Sequence, residues 1–376
     1  MMYFAAALPH DVPKAFRLLY ETSQKPLYQA GEVADTAQNI AWEVKDLPTK
    51  HELYLTEALH RVAFGNKGLG RSLLCSPDRL NAISPPLLKE WTSAMFHPSR
   101  LVIAGVGMPH DQLIALTEKT FTDAAKPPSK TKLMDPSPSS IYTGGSLFLP
   151  APPSPPHIDP NGPLHADPTR FTHLQLGFKG LSVEHDDIYI LATLHTLLGG
   201  GGAFSAGGPG KGMFTRLYTK LLNQYGWIDN ASCFNHSYAD TGLFGIQGSC
   251  LSGQYATQLL AVICREFDAL CSGVGVTAEE VKRAKNQLRS SLLMNLESRM
   301  VAVEDIGRQV QYHGKRTPVT EMCAKIDAVT HDDLVRVARL VLRGGSSPIL
   351  VVQGDGTEEL KKHWQDLVGG FNLGTL

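Results

Sequence analysis

The sequence lacks most of the patterns that settle a chemistry at once. Its fourteen histidines contain no HxxEH and no HExxH, the helical motifs in which two histidines on adjacent turns hold zinc while a glutamate activates water. The six cysteines, at 75, 233, 250, 264, 271 and 323, form no CxxC pair and no zinc-ribbon spacing, which fits a reducing compartment. Cys264 and Cys271 lie seven apart in an expected helix and read as small core residues rather than redox or metal groups. An excess of charge is also missing. The net charge of −1 argues against a nucleic-acid partner, since counterion release needs a concentrated basic surface. No apolar run approaches the roughly 20 residues of a membrane-spanning helix, so no membrane span is expected. The opening Met1-Met2-Tyr3-Phe4 carries neither a basic segment before an apolar one nor an Arg-rich amphipathic pattern, and it reads as the interior of a strand.

What is present is a chain of 376 residues, 43% hydrophobic and 19% charged, enough to bury real cores in two or three domains. Internal similarity gives the first organisation. Leu80-Asn81-Ala82-Ile83-Ser84-Pro85-Pro86-Leu87-Leu88 is matched by Ile326-Asp327-Ala328-Val329-Thr330-His331-Asp332-Asp333-Leu334. In each copy Ser84 or Thr330 stands where its hydroxyl can cap a helix. Each helix leads to a strand (Leu101–Gly105, Ile349–Gly354), a G-x-G turn and a second helix (Asp111–Phe121, Thr357–Leu367). The reading is two related α+β domains.

Residues 124–168 hold twelve of the 24 prolines and read as a linker, with a candidate edge strand at 141–149. The domains are therefore placed at 1–123 and 169–376. Met2–Leu8 then Asp11–Ser23 parallels Gly242–Cys250 then Gln254–Leu270, yet the second copy carries about 100 residues before that point that the first copy lacks. An N-terminally truncated first domain is the simpler expectation.

The segment 199–212 holds eight glycines in fourteen residues, with Pro209 and Lys211. It follows an apolar helical pattern over Asp186–Leu198, and Met213–Tyr218 resumes one. A phosphate cradle fails on inspection. GxxxxGK[ST] set on Gly210-Lys211 would need glycine at 205 and a hydroxyl at 212, where Ser205 and Gly212 stand. GxGxxG meets Met213 where it needs glycine, and both phosphate motifs follow a strand rather than a helix. Two readings stay level on residues alone, a flexible surface linker and a binding loop on an ordered scaffold.

Leu198-Gly199-Gly200-Gly201-Gly202-Ala203-Phe204-Ser205-Ala206-Gly207-Gly208-Pro209-Gly210-Lys211-Gly212-Met213-Phe214-Thr215-Arg216-Leu217-Tyr218 is similar to the glycine-rich loop of one family. It resembles the alpha-type subunits of the mitochondrial processing peptidase, a branch of the pitrilysin/insulinase zinc peptidases. Thr56–His60, Thr143-Gly144-Gly145, Asn235–Tyr238, Ala284–Leu288, Met294–Ser298 and Glu304–Gln309 fit as well, so the resemblance covers essentially the whole chain. The Pro-rich stretch 149–168 looks expanded, and nothing is carried over to it. The implied fold is two duplicated α/β sandwich domains, each a mixed sheet packed by helices, with the first incomplete.

The resemblance also implies a role. The alpha subunit lacks the metal motif, and a beta subunit supplies zinc and catalysis, so no catalytic residue, metal ligand or cofactor is assigned to this chain. Leu181 stands where Leu181–His185 would need its first histidine. His51 and His60 are nine apart, on opposite faces of a helix, and cannot share a metal. Glu43 falls near the place of the family's distant zinc ligand but reads as a solvated helix residue. The implied partners are the beta subunit, in a heterodimer, and basic presequence peptides of proteins imported into the mitochondrial matrix. The implied substrate-binding residues are Gly199, Gly200, Gly201, Gly202, Phe204, Ser205, Gly207, Gly208, Gly210, Lys211, Gly212 and Met213. Glu297, Glu304 and Asp305 follow a helix with a Thr277/Glu280 capping box; they are either a solvated face or an acidic wall for presequence arginines. Two alternatives remain open: a structural core subunit of the respiratory cytochrome bc1 complex, and a self-sufficient zinc peptidase with HxxEH upstream of Met1.

Overall fold

The computed structural model describes residues 1–121, 139–152, 171–202 and 213–374. In chain order its first helices are α1 (Val12–Gln24), α2 (Ala30–Asp46), α3 (His51–Ala63), α4 (Pro77–Leu80), α5 (Pro85–Met95) and α6 (His110–Phe121). The later ones are α7 (Ile188–Leu198), α8 (Ala256–Ser272), α9 (Ala278–Glu297), α10 (Arg299–His313), α11 (Val319–Asp327), α12 (His331–Leu342) and α13 (Glu358–Gly370). The strands are β1 (Gly145–Leu149), β2 (Thr172–Gly180), β3 (Gly200–Gly202), β4 (Ile228–Ser237), β5 (Gly242–Cys250) and β6 (Ile349–Gln353). The fold is α+β. Contacts divide the chain into two compact units interleaved along the sequence: Met1–Lys45 with Leu74–Ser137 and Leu292–Thr317, and Asp46–Leu73 with Pro138–Ser291 and Pro318–Leu376.

The second unit holds one six-stranded mixed sheet, in the order β1-β6-β2-β5-β4-β3. β1 runs parallel to β6 and every other neighbour pair is antiparallel. The period-2 alternation of a strand explains why all five residues of β6 are buried. Leu350 and Val352 join the main core with Leu174, Leu176 and Phe178 of β2, under α7, α8, α12 and α13. Ile349 and Val351 face the other way and pack with Leu55, Leu59 and Phe64 beneath α3. On β2 the residue between the two core-facing leucines is polar: Gln175 Nε2 donates to Gln247 Oε1 (3.1 Å), whose Nε2 donates to Ser232 Oγ (2.9 Å). α12 shows how local signals and packing agree. Thr330 and Asp333 close a reciprocal capping box at its start, and Leu334, Val337, Ala338 and Val341 recur at helical spacing on the buried face.

The first unit is built differently. Phe121 of α6 meets Phe16 and Tyr20 of α1 edge-on, at ring separations of 6.0 and 4.9 Å. Tyr28 Oη shares a 2.5 Å hydrogen bond with Thr92 Oγ1 of α5. Among the described residues this unit has no strand. Met2–Leu8 and Leu101–Gly105, expected as strands, form no strand with any described residue, and Val102 is 42% exposed. A strand is held by ladder hydrogen bonds and cross-strand side chains, and no described residue supplies them to either segment.

Candidate functional site

The glycine segment begins where α7 stops. Gly199 caps the helix with φ 58°, and its N–H donates to the carbonyl of His195 at 2.9 Å. That left-handed backbone is open to glycine and strained for other residues. Gly200–Gly202 then form β3 against β4, with Gly200 opposite Ser232 and Gly202 opposite Asn230. Room is lacking as well as rotation. A Cβ on Gly199 would collide with Thr215, one on Gly200 with the carbonyl of Ala231, and one on Gly201 with the hydroxyl of Tyr218. Four consecutive glycines therefore start the loop, and the first three are required by close packing. Residues 203–212, which include Phe204, Ser205, Gly207, Gly208, Gly210, Lys211 and Gly212, lie outside the described residues; Met213 is exposed beyond them.

The returning chain is anchored by side chains that the sequence reading does not single out. Thr215 Oγ1 accepts from the N–H of Gly200 at 3.1 Å, and Tyr218 Oη donates to the carbonyl of Gly202 at 3.4 Å. Between them Arg216, 3% exposed at its side chain, engages every nitrogen of its guanidinium. Nε and Nη2 donate to Glu266 Oε2 at 3.1 and 3.0 Å, and Nη1 donates to the Gly275 carbonyl at 2.9 Å and to both Glu280 oxygens at 3.2 and 3.3 Å. Glu280 also accepts the Thr277 N–H at the start of α9, closing the expected capping box. Leu217–Leu222 then winds as a π-helix, with Asn223 N–H donating five residues back to Tyr218 O. Such turns are rare and recur at functional sites.

The acidic candidates belong to other elements. Glu297 is exposed at the end of α9. Glu304 pairs with Arg308 at 2.7 Å along α10, and Asp305 accepts from Gln309 Nε2 at 2.8 Å. They fall in the first compact unit or on its boundary helix, whereas the glycine segment belongs to the second.

No zinc cradle forms around the histidines that invite one. His51 stacks on His173 with ring centres 3.8 Å apart, while His60, at the other end of α3, bonds Tyr238 Oη at 2.6 Å. Burial, then the nearby His51, pushes the His173 imidazole down to about 3; burial, then His60 and His195, takes His236 down to about 4. His185 Nδ1 accepts the N–H of Asp187, the residue before α7, at 3.1 Å, and no side chain caps that helix. Glu43 is exposed on α2. Among the described residues no group of three or more His, Cys, Asp or Glu is arranged to hold a metal. Cys264 and Cys271 are fully buried on α8, and burial pushes the Cys271 thiol up to about 11.

Residues 82–288 match the family profile "Peptidase M16 inactive domain", and residues 1–77 match "Insulinase (Peptidase family M16)". The chain is 40% identical to the mitochondrial-processing peptidase subunit alpha of Neurospora crassa, over all of this chain and 77% of that one. The chain belongs to the M16 family, among these alpha subunits. Within the family it is 43% identical to the probable subunit alpha of Schizosaccharomyces pombe, across 92% of this chain and 66% of that one. The human subunit alpha is 34% identical, across 95% and 67%. The chain thus spans about two thirds to three quarters of these relatives' length. A chain of "Complex III2 from Candida albicans, Inz-5 bound" shares the fold with a TM-score of 0.75 at 15% identity, over 97% of this chain and 81% of that one. No described helix is long and apolar enough to cross a membrane.

Proposed function

We propose that this chain is the substrate-recognition subunit of a mitochondrial processing peptidase. On this reading it works in the matrix, binds the N-terminal presequences of imported precursors, and presents them to a zinc-bearing beta subunit that cuts them. By itself it is non-catalytic. The carrying observation is the similarity to alpha subunits along 92–100% of the chain, at 33–43% identity, in fungi, human and potato.

The glycine segment supports this reading chemically. Bare backbone can approach an extended peptide closely, and it recognises main chain rather than one set of side chains. A subunit that must accept many presequences needs that tolerance. Glu297, Glu304 and Asp305 would add attraction for a basic peptide, and the layout 1–123, 124–168 and 169–376 would give each half of the chain one peptidase-like domain. The likeness to a Complex III chain stands at 15% identity and speaks to the fold, so it does not raise a structural role in a respiratory complex above this one.

The test is steady-state processing of a synthetic presequence peptide by the heterodimer, with and without residues 203–212. The deletion should raise KM about tenfold or more while kcat changes less, the pattern of lost ground-state binding. An unchanged KM sinks the reading, and so does turnover by this chain without its beta subunit.

A further inference from the structure

We propose that Thr215, Arg216 and Tyr218 form a clasp that fixes both roots of the glycine segment, with Arg216 as its positioning residue. The proposal rests on the substrate-recognition reading above and adds residues to it. The outgoing root is held by β4 on one side, where Cys233 N–H donates to the Gly199 carbonyl at 2.9 Å. On the other side it is held by the Thr215 hydroxyl and the Tyr218 phenol. These two side chains flank Arg216, so the guanidinium sets where both of them stand. Its carboxylate partners come from α8 and from the first turn of α9, 50 and 64 residues away in sequence. Arg216 thus ties this stretch of chain to two helices, and its neighbours Thr215 and Tyr218 bond Gly200 and Gly202.

The composition of the clasp argues for positioning rather than stability. One buried cation faces two acidic side chains that are themselves only 10% and 12% exposed. Apolar residues of similar volume usually stabilise such a site as well or better. What the guanidinium provides is direction. Nε, Nη1 and Nη2 are all engaged, on three different acceptors. A lysine ammonium is a point charge with no planar fork, and it cannot span those acceptors in the same geometry. Glycine restricts its own backbone least of all residues, so a glycine-rich segment is placed by what holds its ends. Fixed roots limit where its backbone can reach, and pre-organising a binding segment reduces the entropy lost when peptide binds.

The experiment uses the full chain assembled with its beta subunit and an arginine-rich synthetic presequence peptide. KM, kcat and thermal midpoint are measured for Arg216→Lys and for Thr215→Val, each in the complete chain and in the chain lacking residues 203–212. In the complete chain, Arg216→Lys should raise KM about fivefold and Thr215→Val about threefold, with kcat within about twofold. In the deleted chain neither should raise KM further, because a clasp has nothing left to position. A purely structural arginine gives the other pattern, the same added loss in both backgrounds, and that overturns the proposal. If the deletion raises KM but the two substitutions do not, the clasp alone fails. If the deletion itself leaves KM unchanged, the substrate-recognition reading fails and takes the clasp with it. Should Arg216→Lys not assemble, Thr215→Val decides, since it removes one hydroxyl and keeps the side-chain shape.

Discussion

The two compact units carry the same local order of helix, strand-like segment, G-x-G turn and helix, and they realise it differently. In the second unit Ile349–Gln353 lies between β1 and β2 with every residue buried. In the first, Leu101–Gly105 has no strand neighbour among the described residues. The turns still agree, since Gly107 and Gly356 both adopt left-handed backbone, at φ 84° and 70°. The following helices agree too, α6 in one and α13 in the other. Turns and helices are made by local chemistry and therefore survive in both settings. A strand is made by its neighbours, so one pattern gives a core strand in one unit and, among the described residues, no strand in the other. Among the described residues, both clusters of buried apolar side chains lie in the second unit.

That contrast can be broken or sharpened by measurement. The largest effect should come from Phe178→Ala, which empties a fully buried site where the ring meets Phe267 edge-on at 5.7 Å. It should cost about 4 kcal/mol, read by hydrogen exchange as lost protection of β2 and β5 amides, with α1 and α6 nearly unaffected. Equal loss in both units would break the contrast. Acid comes next. His173 and His236 are held below their unfolded value of about 6.5. The unfolded chain therefore takes up protons that the folded sheet refuses. Stability should be intact above pH ~6.5 and fall as pH drops toward about 3, by about 4 kcal/mol between pH 7 and 5 for the two together. Urea titrations at those pH values check it, and a flat profile contradicts it. The smallest effect separates the two helix caps. Thr330 closes a capping box, whereas Ser84 makes no side-chain cap bond. Thr330→Ala should cost about 1 kcal/mol, and Ser84→Ala less than about 0.5 kcal/mol.

Much of the second unit is legible in its sequence because local signals and tertiary packing coincide there. Gly242–Cys250, the helix after it, Ile349–Gln353 and α12 all read correctly from period, caps and turn glycines. β4 does not. Its sequence Ile-Asp-Asn-Ala-Ser-Cys-Phe-Asn-His-Ser is polar, and a bulge at Ile228/Asn230 breaks the alternation. β3 is invisible for a different reason: three glycines have no strand preference of their own, and β4 imposes the pairing. The glycine segment stands out at once in the sequence, but its clasp does not. Arg216 is a lone cation in an apolar run, and Glu266 is a lone acid on the buried side of α8. Each is a local anomaly, and only the fold pairs them. Those two anomalies are the signal that could have found the clasp.

The central claim is that this chain binds presequence through the glycine segment while its partner does the chemistry. The most direct measurement is equilibrium binding of a fluorescent presequence peptide to a heterodimer whose beta subunit is disabled for cleavage. The complex with the intact chain should bind it, and the complex lacking residues 203–212 should bind about tenfold more weakly, a loss of about 1.4 kcal/mol. Equal affinity for the two complexes would contradict the account.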